Sequence, residues 1–460
     1  MTSTYINTRT CGAVAFGALA GLLAMSNVAA AGGPPDEVFS ATAAISLPGG
    51  KHIFAFDISY ADAVLGRYVL GDRTNQAVDL IDTSSNTVLK QLTATPPFAG
   101  ATGNNNTSGP DGVLIVRAKN NGDGVDEVFA GDGPNNTKLG LPACGLTSTS
   151  TVPQPPPRDP NCSTVKVIAL DGTMKHVIPT GGVNRADEMC LDTADNLLMT
   201  ANNADSPPFG SIISTKDYTV KHQVSFTNST NGAEQCQWSP RTGLFYITIP
   251  GVNAAGNQGV VEVINPTSGK IVKTFPIPLQ VCSTPQGLAV GPNEQIMVGC
   301  NGNDSGNGLH SGIIINENSG AVIGVIPDES GPDEVYYNEG DGQYFLARSA
   351  PVGSNQLLGV VDANGAKADS SVITATKLVT GASVHSVAAD SGTNKVFVPI
   401  PGCNPTSTTC PLTTAPPSTV CSSKGGVDAN GCIAVFTASP DDKGKTIVRG
   451  NGNNNSDQSD

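Results

Sequence analysis

Six short apolar segments of this chain open on a residue able to hold a cation or move a proton: Asp111, Asp187, Glu234, Gln286, Asp333 and His385. A seventh opens irregularly, with Phe56 followed by Asp57. The next position adds Glu188, Gln235 and Glu334. Carboxylates gathered at one place repel and raise one another's pKa. A divalent cation or a cationic substrate would relieve them. Oxygen donors of this type suit Ca²⁺ or Mg²⁺, and a histidine within reach would admit a transition metal. On this reading Asp111, Glu234 and Asp333 hold a metal, while Asp187, Glu188, Gln286 and Glu334 bind ligand. His385 is then a general base oriented by Asp333 or Asp57. A second reading stands beside it: the same side chains bond backbone amides of neighbouring segments and staple them together.

These positions can meet only if the elements carrying them are arranged about a common point. The stretch "GRYVLGDRTNQAVDLIDTSSNTVLKQL" reads strand, polar turn, strand ending in "IDT", turn, strand. It returns as "GLFYITIPGVNAAGNQGVVEVINPTSGKIVKTFPIP" and again as "QIMVGCNGNDSGNGLHSGIIINENSGAVIGVIP", each after a short strand with a polar first residue. Four strands per unit at roughly 45–50 residues is the pattern of a β-propeller. One such sheet cannot bury both faces, whereas sheets stacked around an axis can. The inner strands number seven, starting near Phe56, Asp111, Asp187, Glu234, Gln286, Asp333 and His385. The expectation is an all-β, seven-bladed β-propeller with four antiparallel strands per blade. The last blade shows three good strands, and the N-terminal "VFSATAAISL" supplies the fourth and closes the ring. The polar openers then line one mouth of the central channel. The loops "GDRTN", "GDGPNN", "ANNADS" and "CNGNDS" reach the same mouth and add Asn202 and Asn301 as ligand-binding candidates.

"NQAVDLIDTSSNTVLKQL" resembles the YVTN-type propeller repeat, in which a strand ends in "IDT", a turn carries Asn and a Thr-Val strand follows. That resemblance implies the same seven-bladed fold and is compatible with surface-layer, lactonase or binding roles. "AEQCQWSPRTGLFYI" is similar to the strand that opens the gluconolactonase and senescence-marker propellers, and "PQGLAV" and "PDGVLI" resemble that family's ligand strands. This second resemblance implies a metal on Glu234 and Asp111, with Gln286 where Asn is usual. That family is six-bladed and orders these strands differently.

Composition agrees with strands and with export. The 460 residues include 53 Gly and 33 Pro but only 14% charged residues. Residues 1–31 read as a signal peptide: Arg9, the apolar run "AVAFGALAGLLAM", then "NVAAA" with small residues for cleavage. The run is too short to span a membrane. The propeller then occupies 32–440, with a Pro-rich insertion at 134–162 and a Cys- and Pro-rich one at 402–432; 441–460 read as a disordered tail. Cys11 leaves with the leader, and the remaining cysteines are even in number, as a disulfide framework in an oxidising compartment requires. Cys144–Cys162 and Cys282–Cys300 are plausible local pairs. Cys190 and Cys236 remain on neighbouring inner strands, and no CxxC pair supports zinc. A net charge of −14 argues against nucleic acid and anionic membrane as partners. GxSxG, P-loop and dinucleotide motifs are absent. The expected protein is a periplasmic or extracellular monomer binding a small molecule, cation or protein at the acidic mouth. The alternatives are a metal-assisted lactonase-type hydrolase or lyase at the same residues, or a surface-layer-like structural role.

Overall fold

The computed structural model describes residues 37–146, 159–301, 311–327, 332–348, 355–363, 367–376, 384–404 and 420–440. The leader and tail expected at 1–31 and 441–460, and the central parts of both long insertions, lie outside them. Seven four-stranded antiparallel sheets follow one another along the chain. Their inner strands are Ser59–Asp62, Val113–Val116, Met189–Asp192, Cys236–Ser239, Pro285–Val290, Val335–Asn338 and Ala388–Asp390, which define blades one to seven. The N-terminal strand Glu37–Ile45 pairs with Gly431–Pro440 and becomes the outermost strand of blade seven. The two ends of the described chain thus share one sheet, and neither blade one nor blade seven is left with an open face.

The repeated turn between the third and fourth strands has a local cause. Asp82, Asn265 and Asn316 each accept the backbone N–H three residues on, from Ser85, Ser268 and Ser319 at 2.9, 2.9 and 3.1 Å. The following hairpin position is left-handed: Asn86, Gly269 and Gly320 have φ of 56°, 60° and 70°. An Asp or Asn side chain that caps its own turn, followed by Asn or Gly, suits that geometry.

The core lies between blades. Tyr68, Leu70 and Ile81 of blade one pack on Phe397, Ile433 and Val435 of blade seven. Met199 and Ile212 of blade three pack on Phe245 and Ile247 of blade four. Each such side chain contributes roughly 1.5–3 kcal/mol on burial, and it does so only when the neighbouring blade is in place.

Disulfides join Cys144–Cys162, Cys190–Cys236, Cys282–Cys300 and Cys421–Cys432, and Cys403 is also disulfide-bonded. Cys190–Cys236 ties the inner strand of blade three to that of blade four. A disulfide framework of this kind fits an oxidising, exported setting. No helix among the described residues is long and apolar enough to cross a membrane.

Candidate functional site

Hydrogen-bonded pairing of most inner strands begins two residues after the polar openers. The openers sit in a repeated bulge just before it. Asp57 N–H donates to Gly71 O, and Gly71 N–H returns to Ile58 O. The same exchange joins Asp111 and Gly112 to Gly131, Asp187 and Glu188 to Ala201, and Glu234 and Gln235 to Thr248. Two residues on the inner strand face one on its neighbour, which is the definition of a β-bulge and a common way to re-aim side chains. In an unbroken pleat Glu188 would point away from Asp187. Here Glu188 is within electrostatic reach of Asp187, Glu234, Glu334 and Asp57 together. The residues facing the bulges are small because the next blade presses on them. A Cβ at Gly71 would stand 2.6 Å from Asp111 O, and one at Gly131 would stand 2.1 Å from Ala186 O.

The mouth that results is acidic in outline but holds two arginines. Arg73, from the loop after the second strand of blade one, donates from Nε to Asp111 Oδ1 at 2.7 Å and from Nη1 to Asn105 Oδ1 at 2.6 Å. Its Nη2 also meets Asp57 at 2.5 Å. Arg185 pairs with Asp187 at 2.6 Å and lies 3.8 Å from Asp57. Arg73, Arg185, Asp57, Asp111 and Asp187 are nearly sealed from solvent, Asp111 completely. His385 stacks flat on Phe56, with ring centroids 4.7 Å apart, and its Nε2 is 3.6 Å from Asp57 Oδ1.

The expected carboxylate ring therefore exists, but protein cations answer half of it. Of the three expected metal ligands, Asp111 is taken by Arg73. Asp111, Glu234 and Asp333 do not bring an oxygen each within 4.8 Å of one another, and among the described residues the one such group is Cys144, Asp159 and Cys162, whose sulfurs form a disulfide. The metal triad read from sequence does not converge in this arrangement, because the seven openers are spread around a ring.

The inner tier behaves as staples. Gln235 Oε1 accepts Leu288 N–H at 2.6 Å and Val335 N–H at 2.9 Å, joining blade four to five and six. Glu334 Oε2 accepts Ser386 Oγ at 2.6 Å and Val387 N–H at 3.1 Å, joining blade six to seven. Asn202, expected among the ligand-binding residues, has its side chain hydrogen-bonded inside the protein. It is fully buried, accepts Thr180 Oγ1 at 2.7 Å and donates to Ser211 Oγ at 3.0 Å. Asn301 ends the described part of its loop, with its N–H bonded to Thr284 O.

What remains is the arc on blades three to six. The carboxyls of Glu188, Glu234 and Asp333 accept no hydrogen bond from any described residue. Gln286, between Glu234 and Asp333 in blade order, has its Oε1 buried without a hydrogen-bond partner among them. Burial pushes Glu188 and Glu234 well above the ordinary glutamate value, helped by Glu334 beside the first and Asp187 beside the second. Burial raises Asp333 as well, against the pull of His385. Asp187 is raised to about 7 by burial, which its arginine offsets in part. Asp57, between two arginines and His385, is held below the carboxylate range although burial opposes it.

Sequence reasoning missed Arg73 and Arg185. Both were visible as lone cations in loops entering the mouth, "GDRTN" and "VNRADE", but nothing local says which acids they reach.

The chain matches no family model and no curated relative. Its fold matches solved structures. The WD40 domain of Neurospora crassa Pan2 aligns over 88% of this chain and 97% of its own, with a TM-score of 0.53 and 10% identity. A chain of Kuenenia stuttgartiensis hydrazine synthase aligns over 76% and 92%, with a TM-score of 0.52 and 10% identity. At that identity the likeness is one of fold: the protein is a seven-bladed β-propeller, an architecture that hosts binding and catalysis alike. Neither the YVTN nor the gluconolactonase resemblance is carried further by these matches.

Proposed function

We propose that this propeller is an exported binding protein for a small organic cation, an amine or ammonium compound, held at the arc of the channel mouth on blades three to six. One observation carries the reading. The carboxyls of Glu188, buried, and of Glu234 and Asp333, half-buried, have no hydrogen-bond donor among the described residues, and a buried, unpartnered amide oxygen on Gln286 lies between the last two in blade order. Buried polar groups are normally satisfied, so the open Gln286 oxygen, on the same arc as acids that no protein donor answers, favours a donor that arrives with a ligand. Their spread favours a ligand with several N–H donors over a single bare ion, since no three of these acids meet at ion-ligating distance.

The test is thermal melting of the mature protein with putrescine, with Ca²⁺, and with a chelator. Putrescine should raise Tm, and Glu234→Gln should abolish the rise. A Ca²⁺-dependent rise reversed by chelator, without an amine effect, would return the site to a metal. No response to either would remove the reading.

A hydrolase at the same mouth is the second reading, and the pairing of His385 with Asp57 favours it, since an oriented imidazole is a general base. Turnover of a simple lactone that His385→Asn abolishes would support it over pure binding.

A further inference from the structure

The inner strands run from the acidic ring to the other end of the channel, about 13 Å for four residues. There a cavity of about 660 Å³ opens among the residues that end or follow those strands, in blades one, two, three, six and seven. Its blade-one and blade-two corner is lined by Tyr60, Arg117 and Lys119, its wall by Ile115 and Leu191, and its far side by Glu339. None of the channel-mouth acids reaches it.

The corner is built to donate. Arg117 uses Nε on Asp62 Oδ2 at 2.8 Å. That bond fixes the guanidinium plane and neutralises the buried Asp62 carboxylate. The two terminal nitrogens donate to no described residue, and the side chain is one-third exposed. Burial, reinforced by Asp62, keeps the Tyr60 phenol protonated far above neutral pH, so its hydroxyl is available as a donor. Lys119 is exposed, and its ammonium bonds no described residue. A forked guanidinium with the Tyr60 hydroxyl in its electrostatic reach, and an ammonium lining the same cavity, suits the two oxygens of a carboxylate. Ile115, Leu191 and the ring of Tyr60 offer apolar surface to the remainder of such a molecule.

We infer that this opposite mouth is a second binding site, which takes a small monocarboxylate with an apolar body through Arg117, Tyr60 and Lys119. The channel would then present acids at one end and an anion clamp at the other.

Titration calorimetry with sodium benzoate tests this, with benzamide and inorganic phosphate as companions. Benzoate should bind saturably. Benzamide, which lacks the charge, and phosphate, which lacks the apolar body, should each bind about tenfold more weakly or worse. Arg117→Gln should weaken benzoate about tenfold or more, and Lys119→Ala and Tyr60→Phe about threefold each. The last two variants do not touch the Asp62 pair, so they decide the matter if Arg117→Gln fails to fold. Glu234→Gln should leave benzoate binding unchanged. Absence of benzoate binding at roughly 10 mM, equal binding of benzamide or phosphate, or indifference to Lys119→Ala and Tyr60→Phe would each overturn the inference.

Discussion

Replacing Glu334 by glutamine should stabilise this protein at neutral pH, although Glu334 staples two blades together. Burial pushes the Glu334 carboxyl up to about 8, even though Ser386, Val387 and Ser59 donate hydrogen bonds that favour its charged form. In the unfolded chain it returns to an ordinary glutamate near 4.5. The folded state therefore holds a proton that the unfolded state gives up. The stabilisation is complete below pH 4.5 and is lost as pH rises through about 8. The slope is about 1.4 kcal/mol per pH unit for one proton, or on the order of 3 kcal/mol between pH 5 and 8. Glutamine copies the neutral acid: its oxygen still accepts from Ser386 and Val387, and its amide stands where the acid proton would be. Wild type and Glu334→Gln should therefore melt together near pH 5 and separate above it. The variant should gain about 6 °C by pH 8, at roughly 2 °C per kcal/mol for a chain this large. Calorimetric melts in chelator from pH 5 to 8 measure it. Asp57, whose pKa is depressed, is ionised in both states across that window and adds no slope. A variant less stable than wild type by the same margin at every pH would refute the argument, as would wild-type stability that is flat or rising over that range.

Two further outcomes follow from the same ring. Arg73→Met should cost about 3–5 kcal/mol in urea unfolding, because it leaves Asp111 without its hydrogen-bonded cation, while Asp57 keeps Arg185 and His385; adding Asp111→Asn should recover part of that loss, and strict additivity of the two changes would argue against the pairing. Gln235→Ala removes the acceptor shared by Leu288 and Val335 and should cost about 2–3 kcal/mol, without altering the putrescine response that Glu234→Gln abolishes; loss of that response would make Gln235 part of the ligand site.

The parts of this protein that could be read from its residues are those that local chemistry dictates. Each of blades one to six is four consecutive strands, most of them joined by short turns, so its signature sits in one window of chain. The Asp82, Asn265 and Asn316 turns repeat because a side chain closes its own hairpin. The polar opener of each inner strand repeats because every blade meets the axis in the same way. Seven such windows, and one spare N-terminal strand, were enough to give the ring. What the ring does with its charges was decided only by closure. Arg73 reaches an acid 38 positions away, Arg185 touches blade one from blade three, and Asn202, which shares its loop type with the others, ends up in a closed hydrogen-bond cluster. Ion pairing inside a low-dielectric channel depends on distances between blades, which no spacing in the chain encodes. The cavity at the opposite mouth has the same origin: Tyr60, Arg117, Lys119, Leu191 and Glu339 come from four blades, and only their arrangement around a common axis makes one site of them.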